Sequence, residues 1–288
     1  MSARNISLAM VSMLAVLVAV GAPADPGQRS QPPRVDRGGL LKVEPIYFDS
    51  AAQTGGDFYF WAPGEFAGSG LRIPLHGEPV VLAYGSFDKP RRSFEIPVES
   101  GVRTLTVFAG AQRKDRAVLV RPGGAIVAAG EAGVQLQTFT HMTIATIQKP
   151  TPGLWRIDFE GAGLFSVSAH VKPSAEASAP SMDDFDFVEM GGRPGHEGWF
   201  PIQRELFKGQ TITCQLEVSG AVSSVQLALV TGDNRHIATV PMDSSPGDGE
   251  HRRGRCPIPS VPFRVAVTGR DQLGQPFRRT TSALYTPH

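Results

Sequence analysis

From Trp155 to Val171 an apolar side chain falls at almost every second residue. Trp155, Ile157 and Phe159 alternate with Arg156, Asp158 and Glu160. After Glu160-Gly161-Ala162-Gly163 the alternation resumes at Phe165, Val167, Ala169 and Val171. A period of two cannot form a single helical face; it specifies a strand with one dry and one wet side. Pro150-Thr151-Pro152-Gly153 opens the segment as a turn, and Glu160–Gly163 reads as a reversal. The expectation is a β-hairpin within 149–171, with Trp155 in the core.

The same period recurs on both sides of this segment. Phe94, Ile96 and Val98 alternate with polar residues; Val102–Phe108, Arg116–Arg121, Val134–Gln137 and Met142–Ile147 follow as short runs. Strands at this spacing, separated by Pro and Gly, are the pattern of an all-β sandwich. A second series contains Phe185 and Phe187, then Ile212, Cys214, Leu216 and Val218, then Val225, Leu227 and Leu229, then Phe263, Val265 and Val267. The 32 Gly and 24 Pro residues favour turns over long helices, and no stretch after the leader shows a helical period. The expected fold class is all-β: two immunoglobulin-like β-sandwich domains, 93–172 and 183–288, joined by a small polar linker at 173–182. A short β segment, 40–92, precedes them and packs on the first. Within it Leu41–Phe48 begins like a strand, Val80–Tyr84 is another, and Phe58-Tyr59-Phe60-Trp61 reads as an added strand placing alternate aromatics in the core. The other reading of that aromatic run is an exposed platform for sugar stacking.

Arg4 precedes an apolar run from Ile6 to Ala22, and Ala22-Pro23-Ala24 supplies a small-x-small cleavage signature. Residues 1–24 are therefore expected to be a signal peptide, and the polar stretch 25–39 a disordered linker. Export places the chain in an oxidising compartment, where an even pair of cysteines reads as a disulfide between Cys214 and Cys256; two buried free thiols are the other reading. With 28 basic and 27 acidic residues, the balance implies no nucleic-acid partner. No later stretch approaches membrane length, so the mature form is expected to have no membrane partner.

Motifs that carry chemistry are sparse. There is no Gly-x-Ser-x-Gly elbow, no phosphate-binding Gly-rich loop and no dinucleotide fingerprint. His196-Glu197-Gly198-Trp199-Phe200 lacks the second His of a zinc-protease helix. Asp183-Asp184-Phe185-Asp186 lacks the further donors of a calcium loop. No catalytic residue, metal ligand or cofactor is expected. His251-Arg252-Arg253-Gly254-Arg255 is the one basic cluster in the sequence. Arg252, Arg253 and Arg255 are candidate contacts for an acidic polysaccharide or protein partner, unless the cluster is simply a solvated loop.

Three elements then occur in one order: Phe94-Glu-Ile-Pro-Val-Glu-Ser-Gly-Val-Arg-Thr-Leu-Thr-Val107, Pro150-Thr-Pro-Gly-Leu-Trp-Arg-Ile157, and Pro262-Phe-Arg-Val-Ala-Val-Thr-Gly-Arg-Asp-Gln-Leu-Gly-Gln-Pro-Phe-Arg-Arg279. In this the chain resembles the region that follows the von Willebrand factor A domain in hemicentin-type extracellular proteins, over residues 93–285. Ala52-Gln-Thr-Gly-Gly-Asp-Phe58 is similar to a turn near the end of such an A domain. The Asp-x-Ser-x-Ser metal motif of the A domain is missing. The resemblance therefore implies β-sandwich modules of an extracellular protein and carries over no metal-dependent site. Together these features describe an exported, non-catalytic binding or adhesion module of the cell envelope or extracellular space, its partner an unknown protein or a cell-surface glycan. The alternative is an exported hydrolase, or an accessory domain of one, whose catalytic groups lie on distant loops.

Overall fold

The structure, a computed structural model, describes residues 40–61, 65, 77–174, 179–244 and 251–288. The expected signal peptide and the linker at 25–39 lie outside the described residues. The fold is all-β, built almost wholly from antiparallel sheets.

The N-terminal lobe opens with helix α1 (Pro45–Thr54), followed by β1 (Glu78–Ser86), β2 (Arg91–Val98), β3 (Val102–Val120), β4 (Val134–Thr138), β5 (Met142–Gln148) and β6 (Gly153–Pro173). The strands form one sheet in the order β1-β6-β3-β5-β4, with β2 also paired to β6. β1 and β2 are collinear partners of the same long strand. β1 pairs with its C-terminal half, from Glu78↔Val171 to Ser86↔Leu164, and β2 with its N-terminal half, from Arg91↔Glu160 to Val98↔Gly153.

The hairpin expected at Glu160–Gly163 is corrected: β6 passes through these residues without reversing. The separate runs at Val102 and Arg116 are likewise one strand, β3. The register of β3 against β6 shifts between Ala111 and Arg113 and again between Lys114 and Arg116, opposite Gly161 and Ala162. Extra residues of this kind bend a strand rather than end it. Gly161 is required there because a Cβ would sit 2.3 Å from the Arg113 carbonyl oxygen, and Gly163 adopts φ +76°. Both ends of the two bent strands contribute to one core, where Trp155, Ile157 and Phe159 share a cluster with Leu105, Val107, Phe165 and Val167. Trp155 is fully buried and donates its ring N–H to the Thr151 carbonyl at 2.8 Å.

The all-strand reading of 40–92 is also corrected. Pro45 opens α1 at its first turn, where its missing N–H costs nothing. Gly55, left-handed at φ +70°, closes the helix by donating its N–H to the Ala51 carbonyl. The two residues it buries, Phe48 and Ala51, are three apart, too few to leave a helical signature in the sequence. Residues 57–61 belong to no named strand. Phe58 and Phe60 pack on Phe48, with ring centroids 5.3 and 6.3 Å away. Tyr59 and Trp61 turn the other way, onto Phe108 at 5.6 Å and Phe139 at 5.1 Å. Helix and aromatic run together cover the back of the sheet at Leu82 and Tyr84. Val80–Tyr84 is therefore buried on both faces and shows no alternation.

The C-terminal lobe contains β7 (Ser181–Arg193), β8 (His196–Pro201), β9 (Thr211–Ser219), β10 (Val222–Thr231), β11 (His236–Pro241), β12 (Asp243–Ser244), β13 (His251–Pro257), β14 (Phe263–Asp271) and β15 (Pro276–Thr280). Two sheets, β11-β10-β14-β15 and β12-β13-β9-β7-β8, enclose a core of Phe187, Cys214, Leu227, Leu229, Phe263 and Val265. The ends of the expected linker belong to strands, since β6 reaches Pro173 and β7 starts at Ser181; residues 175–178 of that linker lie outside the described residues.

Cys214 and Cys256 do meet in this core, but as free, fully buried thiols and not as the expected disulfide. Their register gives the reason. Cys214 lies opposite Gly254 and Cys256 opposite Ile212, so the pair is diagonal. Diagonal neighbours on adjacent strands have Cα atoms about 7–8 Å apart, beyond the roughly 4.4–6.8 Å that a disulfide spans. Cys214 Sγ instead donates to the Gly254 carbonyl at 3.4 Å. Its hydrogen bond to Cys214, reinforced by burial, pushes the Cys256 thiol well above the ordinary thiol range, away from thiolate chemistry.

Candidate binding groove at the lobe junction

The two lobes meet along β15, which lies against β1 and β2. Phe277 enters the C-terminal core, and two residues on, Arg279 points into the junction. There it meets Glu99 and Glu78 and donates to the Pro180 carbonyl at 2.6 Å. The side chains of Arg279 and Glu99 are 1% and 0% exposed. Arg264, equally buried, donates to the carbonyls of Ala52, Gly232 and Ser282 and lies 5.2 Å from the Tyr84 ring. Thr280 Oγ1 donates to the Val80 carbonyl at 2.8 Å, and the Ser100 N–H to Asp271 Oδ2 at 2.9 Å. The junction is thus polar, buried and heavily hydrogen-bonded.

Beside it, the outer face of β2, β6 and the C-terminal half of β3 forms three rows of side chains. Arg91, Glu160 and Arg116 make the first; Ser93, Asp158 and Val118 the second; Glu95, Arg156 and Val120 the third. Arg91 lies 3.0 Å and Arg116 3.9 Å from Glu160, while Arg156 contacts both oxygens of Asp158 at 2.9 and 3.0 Å. An open groove of about 480 Å³ runs over these rows, flanked by the exposed Ile126.

At its Arg92–Ser93–Arg156 end the groove continues into a second hollow of about 380 Å³ between the lobes, completed by the turn between β10 and β11 and by Arg278. That turn is fixed locally. The Asn234 N–H donates to the Thr231 carbonyl at 2.9 Å, Thr231 Oγ1 donates to Asp233 Oδ1 at 2.5 Å, and Asn234 sits at φ +67°, which asparagine tolerates. Asp233 receives Arg92 at 2.9 Å and Arg235 at 3.0 Å. Burial, which alone would raise it, is outweighed by Thr231 and the two guanidinium groups, so the Asp233 carboxyl lies below the usual range. Arg92 also stacks over Phe165 at 4.9 Å and Phe94 at 5.6 Å. Arg278 is half-buried and donates to Asn234 Oδ1 at 2.5 Å and Thr280 Oγ1 at 3.3 Å. Across the two hollows six arginines face four carboxylates.

None of these arginines was a candidate from the sequence, because they come from separate strands and from the β10–β11 turn. Arg252, Arg253 and Arg255 lie elsewhere, on β13 and not on a solvated loop. Arg253 donates to Gln215 Oε1 at 2.8 Å and lies 5.0 Å from the Trp199 ring, while Arg255 is exposed. His196 and Glu197 sit at the exposed start of β8, at the tip of its hairpin with β7. Asp184 and Asp186 flank Phe185 on β7; burial and the neighbouring Asp184 push the Asp186 carboxyl up. Among the described residues no group of three or more His, Cys, Asp and Glu is placed to hold a metal ion.

One set of catalytic residue types does converge. Ser168 Oγ donates to Asp57 Oδ1 at 2.7 Å, and His170 Nε2 lies 3.7 Å from the same oxygen. A nucleophile relay needs the imidazole between serine and carboxylate; here the carboxylate lies between the other two. The adjoining space is about 10 Å³, scarcely a water's worth.

The chain matches no protein-family profile and no curated protein. Among solved structures it is similar to the crystal structure of Bacillus licheniformis lipase BlEst2 in propeptide form, at a TM-score of 0.25 and 13% identity, over 73% of this chain and 44% of that one. This chain thus spans less than half of that lipase, and a likeness at this level bears on neither fold nor chemistry.

Proposed function

We propose that the chain is an exported, non-catalytic binding protein that holds its partner, a protein or a cell-surface glycan, along the groove at the lobe junction. The observation that carries this is the continuity of the groove across the junction, with six arginines against four carboxylates along it. Arginine forks suit carboxylate, sulfate and phosphate groups. The Ser168–Asp57–His170 arrangement favours the non-catalytic reading over the hydrolase one. The two facing antiparallel sheets of the C-terminal lobe support an immunoglobulin-like module, and the apolar leader with its Ala22-Pro23-Ala24 signature supports export.

The test is immobilised mature chain exposed to cell-surface extracts and to acidic polysaccharides at about 50 and 200 mM salt. Binding that weakens with salt and is lost when Arg91 and Arg116 are both changed to Gln is expected, because the screening length falls from roughly 14 Å to roughly 7 Å between these ionic strengths. Turnover of ester, peptide or glycoside substrates, abolished by a single Ser or His substitution, overturns the reading.

A further inference from the structure

The geometry points to Arg278 as the anchor for the acid group, a carboxylate or sulfate, of an acidic oligosaccharide lying in the groove. This inference rests on the groove being the binding surface. The arginines of the groove differ in what neutralises them. Arg91 and Arg116 share Glu160, Arg156 holds Asp158, and Arg92 and Arg235 share Asp233. Arg278 alone among them meets no carboxylate among the described residues; its Nε and Nη2 donate to the neutral acceptors Thr280 and Asn234. Its Nη1 donates to no acceptor among the described residues, and Arg278 lines the hollow, so a donor is left for a fork to a bound anion. Burial pushes its pKa down to about 10, so it remains a cation at neutral pH. A half-buried charge without a counter-ion is costly, and a ligand anion offsets that cost.

The remaining surface selects what carries the anion. Each paired arginine presents its carboxylate to the groove as well, so Asp158, Glu160 and Asp233 lie along the path, together with Glu95 and the Ser93 hydroxyl. A densely charged polyphosphate meets repulsion there, whereas sugar hydroxyls find acceptors and donors in alternation. Val118, Val120 and Ile126 add an apolar strip for the C–H faces of sugar rings. The two hollows, about 380 and 480 Å³, exceed what a single small anion fills and match the range of pockets that hold extended small ligands.

The experiment titrates the full mature chain calorimetrically with an oligogalacturonide, its methyl ester, a sulfated oligosaccharide of similar length, sodium sulfate alone and a single-stranded oligonucleotide. Tight binding is expected for one or both acidic oligosaccharides, the better of them identifying the acid group, and at least about tenfold weaker binding for the ester, sulfate alone and the oligonucleotide. Arg278→Gln is expected to weaken the best ligand about tenfold or more. Asn234→Asp, which brings a carboxylate to Arg278 without removing the guanidinium, is expected to do the same with the fold intact by circular dichroism. If both variants bind as the parent does while Arg91→Gln and Arg116→Gln bind more weakly, the anchor is wrong and the groove reading stands. Oligonucleotide or free sulfate binding as tightly as the oligosaccharides overturns the glycan assignment. No binding by any probe overturns the anchor and its acidic glycan and leaves the groove to a protein partner, whereas binding that none of these substitutions affects removes the groove reading and the anchor together.

Discussion

Arg279 shows how far a residue's role can depart from its place in a strand. It follows Phe277 at the inward period, yet it carries a charge that the junction encloses completely. The ion pair with Glu99 has both side chains out of water, so removing one partner leaves the other charged and uncompensated. Arg279→Met is expected to cost about 3–5 kcal/mol in chemical denaturation, and Glu99→Gln a similar amount; a loss below about 1 kcal/mol for both would falsify the buried-pair geometry. Asp233 makes a pH-dependent contribution of defined sign. Its folded pKa is depressed, so its stabilisation is present above the ordinary Asp value of about 3.9 and is lost as pH falls through the folded value. The stability difference between the parent and Asp233→Asn is therefore expected to be constant from neutral pH to about 4 and to shrink below it. A difference that grows on acidification contradicts the Arg92–Asp233–Arg235 arrangement. At the thiols, alkylation without reductant is expected to modify neither Cys214 nor Cys256 in the native chain and both in denaturant. Two thiols that stay unmodified in denaturant until a reductant is added mean that the bridge forms after all.

At the scale of elements, β6 separates what alternation reveals from what it conceals. Trp155→Ala is expected to cost about 3–5 kcal/mol, as large aromatic truncations in cores do, and an unmoved melting transition rejects the assignment of Trp155 to the core. That half of the strand was legible because one face is dry and the other wet. Its direction at Gly161–Gly163 was not, since glycines that reverse a chain and glycines that permit a bulge look alike in sequence; the partner that distinguishes them, Arg113, lies almost fifty positions earlier. Hydrogen exchange over 158–166 is expected to be as slow as in the flanking strand, with the Gly161 N–H held by Pro90 at 3.1 Å and the Leu164 N–H by Gln112 at 2.7 Å. Rapid exchange confined to 160–163 restores the hairpin. α1 was hidden for a related reason: its fit to the back of the sheet, through Phe48 and Ala51, outweighs its weak periodicity. In the C-terminal lobe β7, β9, β10 and β14 were legible from alternate apolar residues such as Ile212, Cys214, Leu216 and Val218, whereas β8, β11, β12, β13 and β15 were not. The groove was not legible at all, because its arginines come from β2, β3, β6, β15 and the β10–β11 turn, and only the packing of the lobes sets them together.

For the molecule as a whole, the lobe junction decides whether the groove is a fixed surface or a cleft that opens. Interfaces between domains of one chain ordinarily permit relative motion unless they are large and apolar. This one is polar, but its polar groups are sequestered: Arg264, Arg279, Glu99 and Asp271 are all buried. Separating the lobes exposes charges to water, which is favourable, but breaks the Arg279–Glu99 pair and the backbone bonds from Tyr84 to Gly232 and from Leu284 to Gln53, at 2.9 and 3.0 Å. It also uncovers the edge of β1, where Thr280 satisfies the Val80 carbonyl. A strand edge left open is a site for unwanted pairing, so the junction protects the N-terminal sheet as well as joining it to the C-terminal one. The lobes are therefore expected to unfold together. Scanning calorimetry of the chain should give one transition whose calorimetric and van't Hoff enthalpies agree, the signature of a single cooperative unit. Arg279→Met should lower that transition and split it, because each lobe keeps its own apolar core once the shared charges are gone. Two resolved transitions in the parent chain would instead mean lobes that move independently, and a groove whose two hollows need not line up.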